Sequence, residues 1–231
     1  MIAAMTASTK KLPDLSAVRT LFLDMDGTLL DLHFDNHFWL EHLPLRYGER
    51  HGITPDAALE RLHPRFKAVE GTLAWYSLEY WSQELDMDIV TLKREVEHLI
   101  QVLPHAEEFL RKMRVLGKRL VLVTNAHASV LAMKMERTRI HSHFDRIVSA
   151  HDLGAPKETV EFWHRLQETE PFDTRTTLLA DDSLPVLRAA RDYGIRNIVA
   201  VRKPDSKRPV RDMGDFPAIE TFAELLEDKR D

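Results

Sequence analysis

Residues 18–28 of this chain read VRTLFLDMDGT, an apolar run that ends at two aspartates. The run from Val18 to Leu23 has the length and composition of a strand that is buried on both faces of a parallel sheet. Open sheets of this kind bind their ligands beyond the carboxyl ends of the strands. Asp24 and Asp26 are therefore candidates for a functional site.

Four further apolar runs of the same kind follow along the chain: Arg119 to Val123, Arg146 to Ser149, Thr176 to Ala180 and Asn197 to Val201. Apolar residues at helical spacing lie between or before them, over His105 to Leu116, Glu158 to Glu168 and Leu184 to Tyr193. This alternation predicts an α/β fold with a Rossmann-like, doubly wound parallel sheet.

Residues 32–103 contain no such strand run, and their pattern is helical. Thr54-Pro55 is typical of a helix start, and the apolar residues that follow Asp88 recur on one helical face. We therefore predict an all-helical cap over residues 32–103. The core would then consist of residues 1–31 and 104–231.

The composition of the 231 residues excludes several classes of protein. A formal net charge of -5 and a pI of about 6.2 argue against a nucleic-acid partner. No uncharged apolar run approaches the roughly 18 residues of a membrane span, and Met1 to Leu12 lacks the apolar core of a signal peptide. The absence of cysteine fits a cytoplasmic location and excludes thiolate chemistry. The sequence does not indicate the oligomeric state.

Polar residues follow three of the predicted strands. Thr124 and Asn125 end the second strand, Asp181 and Asp182 follow the fourth, and Lys157 lies in a loop after the third. Two carboxylates 4 Å apart repel by about 4 kcal/mol at an effective dielectric constant near 20, so a cluster of them needs protons or a cation. Oxygen ligands of this kind suit Mg²⁺. The predicted metal site comprises Asp24, Asp26, Asp181 and Asp182.

These residue types predict phosphoryl chemistry on a small phosphomonoester. The Asp24 carboxylate can attack phosphorus to form an aspartyl phosphate, and Asp26 can then exchange protons with the leaving oxygen and with water. Gly27 permits a tight turn whose backbone N–H groups face the phosphate. The predicted phosphate-binding side chains are Thr28, Thr124, Asn125 and Lys157.

Four segments resemble, in order, the motifs of the haloacid dehalogenase-like hydrolases. They are Asp24 to Thr28 (DMDGT), Thr124-Asn125, Lys157 in APK, and Asp181 to Ser183 (DDS). The resemblance implies that Asp24 is the nucleophile, and that Asp26 is the general acid/base and lends its backbone carbonyl to Mg²⁺. It matches Asp182 to a metal ligand and leaves open whether Asp181 binds the metal directly. The resemblance also uses position 26 to separate branches of the superfamily. An aspartate there implies chemistry on phosphate esters, and it argues against a dehalogenase or an ion-transporting ATPase.

A closer resemblance, over about residues 18–205, is to the bacterial GMP/IMP nucleotidase branch of this superfamily. The segments that carry it are DMDGTLLDLHFDNHFW, WYSLEYWS, TNAH and LADDS, which begin at Asp24, Trp75, Thr124 and Leu179. It implies hydrolysis of a purine 5′-mononucleotide. Two alternatives stay open. One is a sugar-phosphate or phosphoglycolate phosphatase or a phosphomutase of the same superfamily, and the other is a catalytically silent binding module.

Several residues outside the four motifs are weaker candidates. His33, Asn36 and His37 follow the first motif closely enough to contact substrate. The spacing of the histidines implies no third ligand, so a zinc site is not expected. Asp31 is interpreted as a hinge or capping residue. Among the aromatic residues of the cap, Trp75, Tyr76, Tyr80 and Trp81 are expected in its core, and one of them could stack on a purine.

Overall fold

The structure is a computed structural model that describes residues 11–226. Within these residues, one sheet contains six parallel strands in the order β3-β2-β1-β4-β5-β6. The strands are β1 (Thr20–Leu23), β2 (Arg119–Thr124), β3 (Arg146–Ser149), β4 (Thr177–Asp181), β5 (Asn197–Val201) and β6 (Ala218–Ile219). The fold is a Rossmann-like α/β fold, which confirms the prediction from the sequence.

Helices connect the strands of the sheet from β1 to β5. Between β1 and β2 lie α1 (His33–His37), α2 (Leu43–His51), α3 (Pro55–Val69), α4 (Leu73–Tyr76), α5 (Leu78–Leu85), α6 (Ile89–Glu95) and α7 (Ala106–Val115). The later strands alternate with α8 (Ala128–Thr138), α9 (Ala150–Leu153), α10 (Val160–Thr169) and α11 (Leu184–Tyr193). Across the described residues, every helix is too short or too polar to traverse a lipid bilayer.

Alternate residues of the central strands build two apolar layers, one on each face of the sheet. Leu21 and Leu23 pack into one layer, whereas Phe22 between them packs into the other. This follows from the two-residue period of a strand, and it explains why the strands read as continuous apolar runs. The layer that contains Leu21 continues into the helices after β1, where it includes Phe38 and Trp81.

Local chemistry explains where the helices of residues 32–103 begin. Thr54 accepts a hydrogen bond from the Ala57 N–H at 3.3 Å, and Pro55 occupies the first position of α3. Asp88 caps α6 in the same way, since it accepts from the Thr91 N–H at 3.0 Å. The segment 32–103, called the cap below, is helical wherever it is regular. Its separation from the core as a domain stays a prediction.

Outside the cap, three elements were not predicted, namely α8, α9 and β6, and several limits shifted. Helix α8 was missed because a buried lysine, Lys134, interrupts its apolar face. Strand β6 was missed because two residues at a sheet edge leave no pattern. Strand β1 begins at Thr20 and not at Val18, and the other limits agree within about two residues. The two ends of the predicted core, residues 1–10 and 227–231, lie outside the described residues. Most of residues 1–12, which were not expected to form a signal peptide, also lies outside them.

Candidate active site

The central strand β1 delivers Asp24 to an edge that its two neighbours also reach. Leu23 pairs with Leu122 of β2 on one side and with Ala180 of β4 on the other. Because all three strands are parallel, the residues that follow them meet at the carboxyl edge. Carboxylate oxygens of Asp24, Asp181 and Asp182 lie within 4.8 Å of one another there. The fold therefore brings Asp24 together with the adjacent pair Asp181 and Asp182, which lies far from it in the sequence.

Lys157 is buried beside this cluster and contacts two of the carboxylates. Its side chain is 2% exposed, and Nζ lies 2.5 Å from Asp24 Oδ1 and 2.7 Å from Asp181 Oδ2. The same ammonium group donates to the Val123 carbonyl at 3.0 Å. Burial alone would lower the pKa of Lys157, but Asp181 and Asp24 raise it above its ordinary value. The lysine therefore stays charged at the position where a phosphate would need a counter-charge.

The three carboxylates carry more negative charge than Lys157 neutralises. Burial raises the pKa of Asp24 to about 6 against the opposing effect of Lys157, and burial likewise raises the pKa of Asp181. Burial and repulsion by Asp181 and Asp24 together raise the pKa of Asp182 well above 3.8. A divalent cation would relieve this repulsion. The donors are oxygen atoms alone, which fits Mg²⁺ better than a soft metal.

The fourth carboxylate expected in the cluster lies apart from these three. Asp26 Oδ1 accepts a hydrogen bond from Lys134 Nζ at 2.6 Å, so its side chain is directed to helix α8. Burial raises the pKa of Asp26 to about 6, with Lys134 acting in the opposite direction. Among the described residues, the group of three therefore excludes the Asp26 carboxylate. The resemblance implied that Asp26 contacts the metal through its backbone carbonyl. That contact is compatible with a side chain that is directed to Lys134.

A chain of alternating charges continues from Lys134. The same Nζ lies 2.6 Å from Asp35 Oδ2, and Asp35 Oδ1 accepts from Lys93 Nζ at 2.7 Å. Despite burial, Lys134 and Lys93 hold the pKa of Asp35 below its ordinary value. None of these three residues was identified from the sequence. The available signal was a lysine at position 134 among the apolar residues of a helical face.

Gly27 forms the turn between Asp26 and the residues beyond it, in a conformation that glycine favours. Its φ angle is +84°, and an added Cβ would lie 2.7 Å from the carboxyl carbon of Asp182. The turn therefore packs directly on a carboxylate of the cluster. The Gly27 N–H itself donates to the Leu30 carbonyl at 2.8 Å and so closes the turn.

The predicted phosphate-binding side chains have different environments. Thr124 and Asn125 line the cavity above the carboxylates. The Thr124 hydroxyl accepts from the Ala126 N–H at 3.0 Å, which leaves its own proton available to a phosphate oxygen. Asn125 Oδ1 accepts from the Lys157 N–H at 3.0 Å and so positions that residue. Thr28 is fully buried, is outside the cavity lining, and its hydroxyl has no partner among the described residues.

A cavity of about 890 Å³ lies over the carboxylates and extends to the cap. Volumes of this size accommodate small-molecule ligands. The cap contributes Trp39, Lys67, Glu70, Trp75, Tyr76 and Lys93 to its wall. Trp39 and Trp75 are nearly parallel, with ring centroids 5.7 Å apart. Trp81 is fully buried as expected of a cap-core residue, whereas Trp75 and Tyr76 face the cavity.

Tyr76 links the cap to the phosphate-binding residues of the core. Its hydroxyl donates to Glu158 Oε1, and Glu158 Oε2 accepts from Asn125 Nδ2 at 2.9 Å. Asn125 in turn holds the backbone of Lys157. Glu158 was not identified from the sequence. Its position directly after Lys157 was the only indication.

Arg211 is a further residue of the site that was not identified from the sequence. Arg211 lines the cavity, and its Nη1 lies 3.1 Å from Asp182 Oδ2. This contact was hidden because Arg211 is one of several basic residues in a polar loop, with no spacing that distinguishes it.

Only one of the weak candidates after the first motif lines the cavity described here. Asn36 does so, and its Nδ2 donates to Asp205 Oδ2 at 2.7 Å. His33 Nδ1 lies 3.8 Å from Asp205, and His37 pairs with Glu41 at the surface. Asp31 accepts from the backbone N–H groups of His33 and Ser206, each at 3.0 Å. These contacts fit a capping role for Asp31.

Known proteins are similar to this chain over most of its length. The family described as haloacid dehalogenase-like hydrolase matches residues 21–200. The GMP/IMP nucleotidase YrfG of Escherichia coli K12 is 38% identical over 209 residues, which are 90% of this chain and 94% of that protein. YrfG of Shigella flexneri shows the same identity and coverage.

Solved structures share the fold at low sequence identity. A HAD phosphatase from Thermococcus onnurineus superimposes with a TM-score of 0.74 at 22% identity, covering 90% of this chain and 96% of that one. A putative β-phosphoglucomutase from Thermotoga maritima gives a TM-score of 0.60 at 21% identity, covering 86% and 89%. At these identities the likeness shows the fold alone.

Proposed function

Because this chain belongs to the haloacid dehalogenase-like hydrolases and is a phosphatase, we propose that it hydrolyses purine 5′-mononucleotides such as GMP and IMP. The observation that carries the proposal is the buried contact of Asp24 with Lys157 at the base of a cavity whose cap wall includes aromatic side chains. The substrate class comes from the 38% identical nucleotidase, which aligns with 90% of the chain.

The proposed reaction has two displacements at phosphorus. A carboxylate oxygen of Asp24 forms a bond to phosphorus, the bond to the 5′ oxygen breaks, and Asp26 protonates that oxygen as it leaves as the nucleoside. Asp26 then takes a proton from water, whose oxygen attacks the aspartyl phosphate and releases inorganic phosphate. Lys157 holds a positive charge beside the transferring group throughout.

We assign the Mg²⁺ ligands to Asp24, Asp181 and Asp182, whose oxygens converge. When bound, the ion neutralises charge on the phosphoryl oxygens and on the carboxylates themselves. Lys157 and Arg211 partly offset the same negative charge from the protein side, as their contacts with Asp24 and Asp182 show.

The cap wall offers groups that complement a 6-oxopurine. Stacking of a base on an aromatic side chain such as Trp39 or Trp75 contributes about 1–3 kcal/mol. Lys67 supplies a donor and Glu70 an acceptor to the same cavity. A 6-oxopurine presents an acceptor at O6 and a donor at N1–H, whereas adenine presents the opposite pattern. We therefore propose that Lys67 and Glu70 favour GMP and IMP over AMP.

The test is phosphate release with Mg²⁺ from GMP, IMP, AMP, ribose 5-phosphate, glucose 6-phosphate and phosphoglycolate. We expect the highest kcat/KM with GMP and IMP, and almost no release by the Asp24→Asn variant. Higher activity on a sugar phosphate or on phosphoglycolate would replace the nucleotidase assignment with the first alternative. Full activity in Asp24→Asn would refute the covalent mechanism. The cytoplasmic location and the absence of a nucleic-acid partner stay predictions.

A further inference from the structure

Lys134 is a buried lysine outside the four motifs, and it contacts the proposed acid/base group. Its side chain is 2% exposed, and Nζ lies 2.6 Å from both Asp26 Oδ1 and Asp35 Oδ2. Its neighbours on the buried face of α8 are apolar, including Val130 and Met133. Burying an ammonium group among them is unfavourable unless carboxylates pair with it. The two carboxylates therefore account for a lysine at this position.

The contact fixes one oxygen of Asp26 and leaves the other available. Within residues 11–226, Lys134 is the only side chain that hydrogen-bonds the Asp26 carboxylate, and it does so through Oδ1. The Asp26 side chain is 22% exposed and lines the cavity. A proton on the free oxygen can thus reach a substrate, while the anchored oxygen sets the direction of the carboxyl group.

Lys134 is itself held from the cap side. Asp35 on α1 binds Lys134 through Oδ2 and Lys93 on α6 through Oδ1. Lys93 is 2% exposed, and its Nζ lies 4.6 Å from the centroid of the Phe38 ring. These groups leave Lys134 little freedom to turn away from Asp26. The arrangement joins helix α8, which follows β2, to two helices of the cap.

We infer that Lys134 is a positioning residue that orients Asp26 for proton transfer to the leaving oxygen, and that Asp35 keeps Lys134 in place. The inference rests on the proposed mechanism, with Asp24 as nucleophile and Asp26 as acid, but it does not depend on the nucleotide. It assigns a role in the first chemical step to a helix that carries none of the four motifs.

The test compares substrates that differ in their need for an acid. The nucleoside oxygen of GMP needs a proton as it leaves, whereas p-nitrophenolate leaves without one. For Lys134→Met we expect kcat/KM for GMP to fall by about 100-fold or more, which is the scale of general acid catalysis. We expect kcat/KM for p-nitrophenyl phosphate to fall by less than about 10-fold. This ratio reports the first displacement alone, because later steps do not enter kcat/KM.

Two further variants keep the result interpretable. Lys134→Arg retains the charge. Its ratio of kcat/KM for GMP to that for p-nitrophenyl phosphate should therefore be higher than the ratio of Lys134→Met. Thr138→Ala removes a hydrogen bond from Thr138 Oγ1 to the Lys134 carbonyl at 2.7 Å on the same helix. It should affect both substrates equally, as a merely structural change would. Circular dichroism and thermal unfolding establish that each variant is folded.

If Lys134→Met does not fold, Asp35→Asn decides the question, and it should show the same preferential loss for GMP by about 10-fold. Equal losses for both substrates in the folded variants would overturn the inference and make Lys134 a structural residue. If the wild-type protein does not hydrolyse GMP but hydrolyses another alkyl phosphate, the nucleotidase proposal fails. The comparison then runs with that ester, and its outcome still decides the role of Lys134.

Discussion

Asp24 and Asp26 are two residues apart, and each is paired with its own buried lysine. Lys157 contacts Asp24 at 2.5 Å, and Lys134 contacts Asp26 at 2.6 Å. Burial raises the pKa of both aspartates to about 6, so that value does not distinguish them. Their neighbours distinguish them. Asp24 lies among carboxylates that would attract a cation, whereas Asp26 pairs with Lys134, which also pairs with Asp35. The surroundings of each group thus support the division into nucleophile and acid/base.

Gly27 gives a prediction for a single residue. Gly27→Ala places a Cβ within 2.7 Å of the Asp182 carboxylate at a φ of +84°, so either the turn or Asp182 must move. We expect a loss of about 1–3 kcal/mol in stability and a marked fall in kcat. Gly52→Ala is the matched control, since its φ is +65° and nothing lies within 4 Å of its Cβ. A Gly27→Ala protein as active as Gly52→Ala would contradict this account.

Residues found from the sequence and residues missed differ in one physical respect. Asp24, Lys157 and Asp181 could be predicted because each follows a strand or lies in the loop after one, where a parallel sheet gathers its ligands. Lys134 and Asp35 are 99 positions apart in the sequence and lie on helices, so only tertiary packing brings them together. No local spacing encodes such a contact.

Helix α3 places both proposed base-reading groups at its carboxyl-terminal end. Lys67 lies in its last turn, and Glu70 follows as the capping residue. Neither side chain has a hydrogen-bond or ion-pair partner of its own within residues 11–226, so both are free to contact a substrate. At this scale the sequence predicted the start of α3 from Thr54-Pro55, but not that its far end reaches the cavity, because that depends on how the helix packs.

The corresponding prediction concerns base preference. Glu70→Gln and Lys67→Met should each reduce the ratio of kcat/KM for GMP to that for AMP, by about 10-fold, which corresponds to the loss of one hydrogen bond to a charged group. Activity on ribose 5-phosphate should change little. Glu60→Gln and Arg61→Met on the same helix are outside the cavity lining and serve as controls. If this ratio is unchanged in both variants, α3 does not take part in recognition of the base.

For the whole molecule, the acidic cluster predicts how stability depends on metal and pH. Because the pKa of Asp24 is raised from 3.8 to about 6, the metal-free protein binds more protons than the unfolded chain within this range. That contribution to stability is present below about pH 4 and is lost as the pH rises through 6. Mg²⁺ competes with the same protons, so it should stabilise the protein more at pH 7.5 than at pH 5.

The size of this effect can be bounded. At a free Mg²⁺ concentration about 100 times its Kd, the ion adds about 2.7 kcal/mol, or roughly 5–10 °C in Tm for a chain of this length. Differential scanning fluorimetry with Mg²⁺ or with EDTA at the two pH values measures it. Asp182→Asn should abolish most of the shift, whereas Asp212→Asn in the nearby loop should retain it. An equal shift at both pH values would contradict the assigned site.

The position of the cap between β1 and β2 also affects how the chain is made. Strand β1, which is followed directly by the proposed nucleophile, pairs within residues 11–226 with β2 and β4, and Thr20 is opposite Arg119 and Thr177. At about 5–20 residues per second, the ribosome needs roughly 5 to 20 s to reach Arg119 after Thr20. Throughout that interval the apolar residues of β1 have no strand to join. The edge of the sheet that carries Asp24 is therefore completed only after β4 has been synthesised.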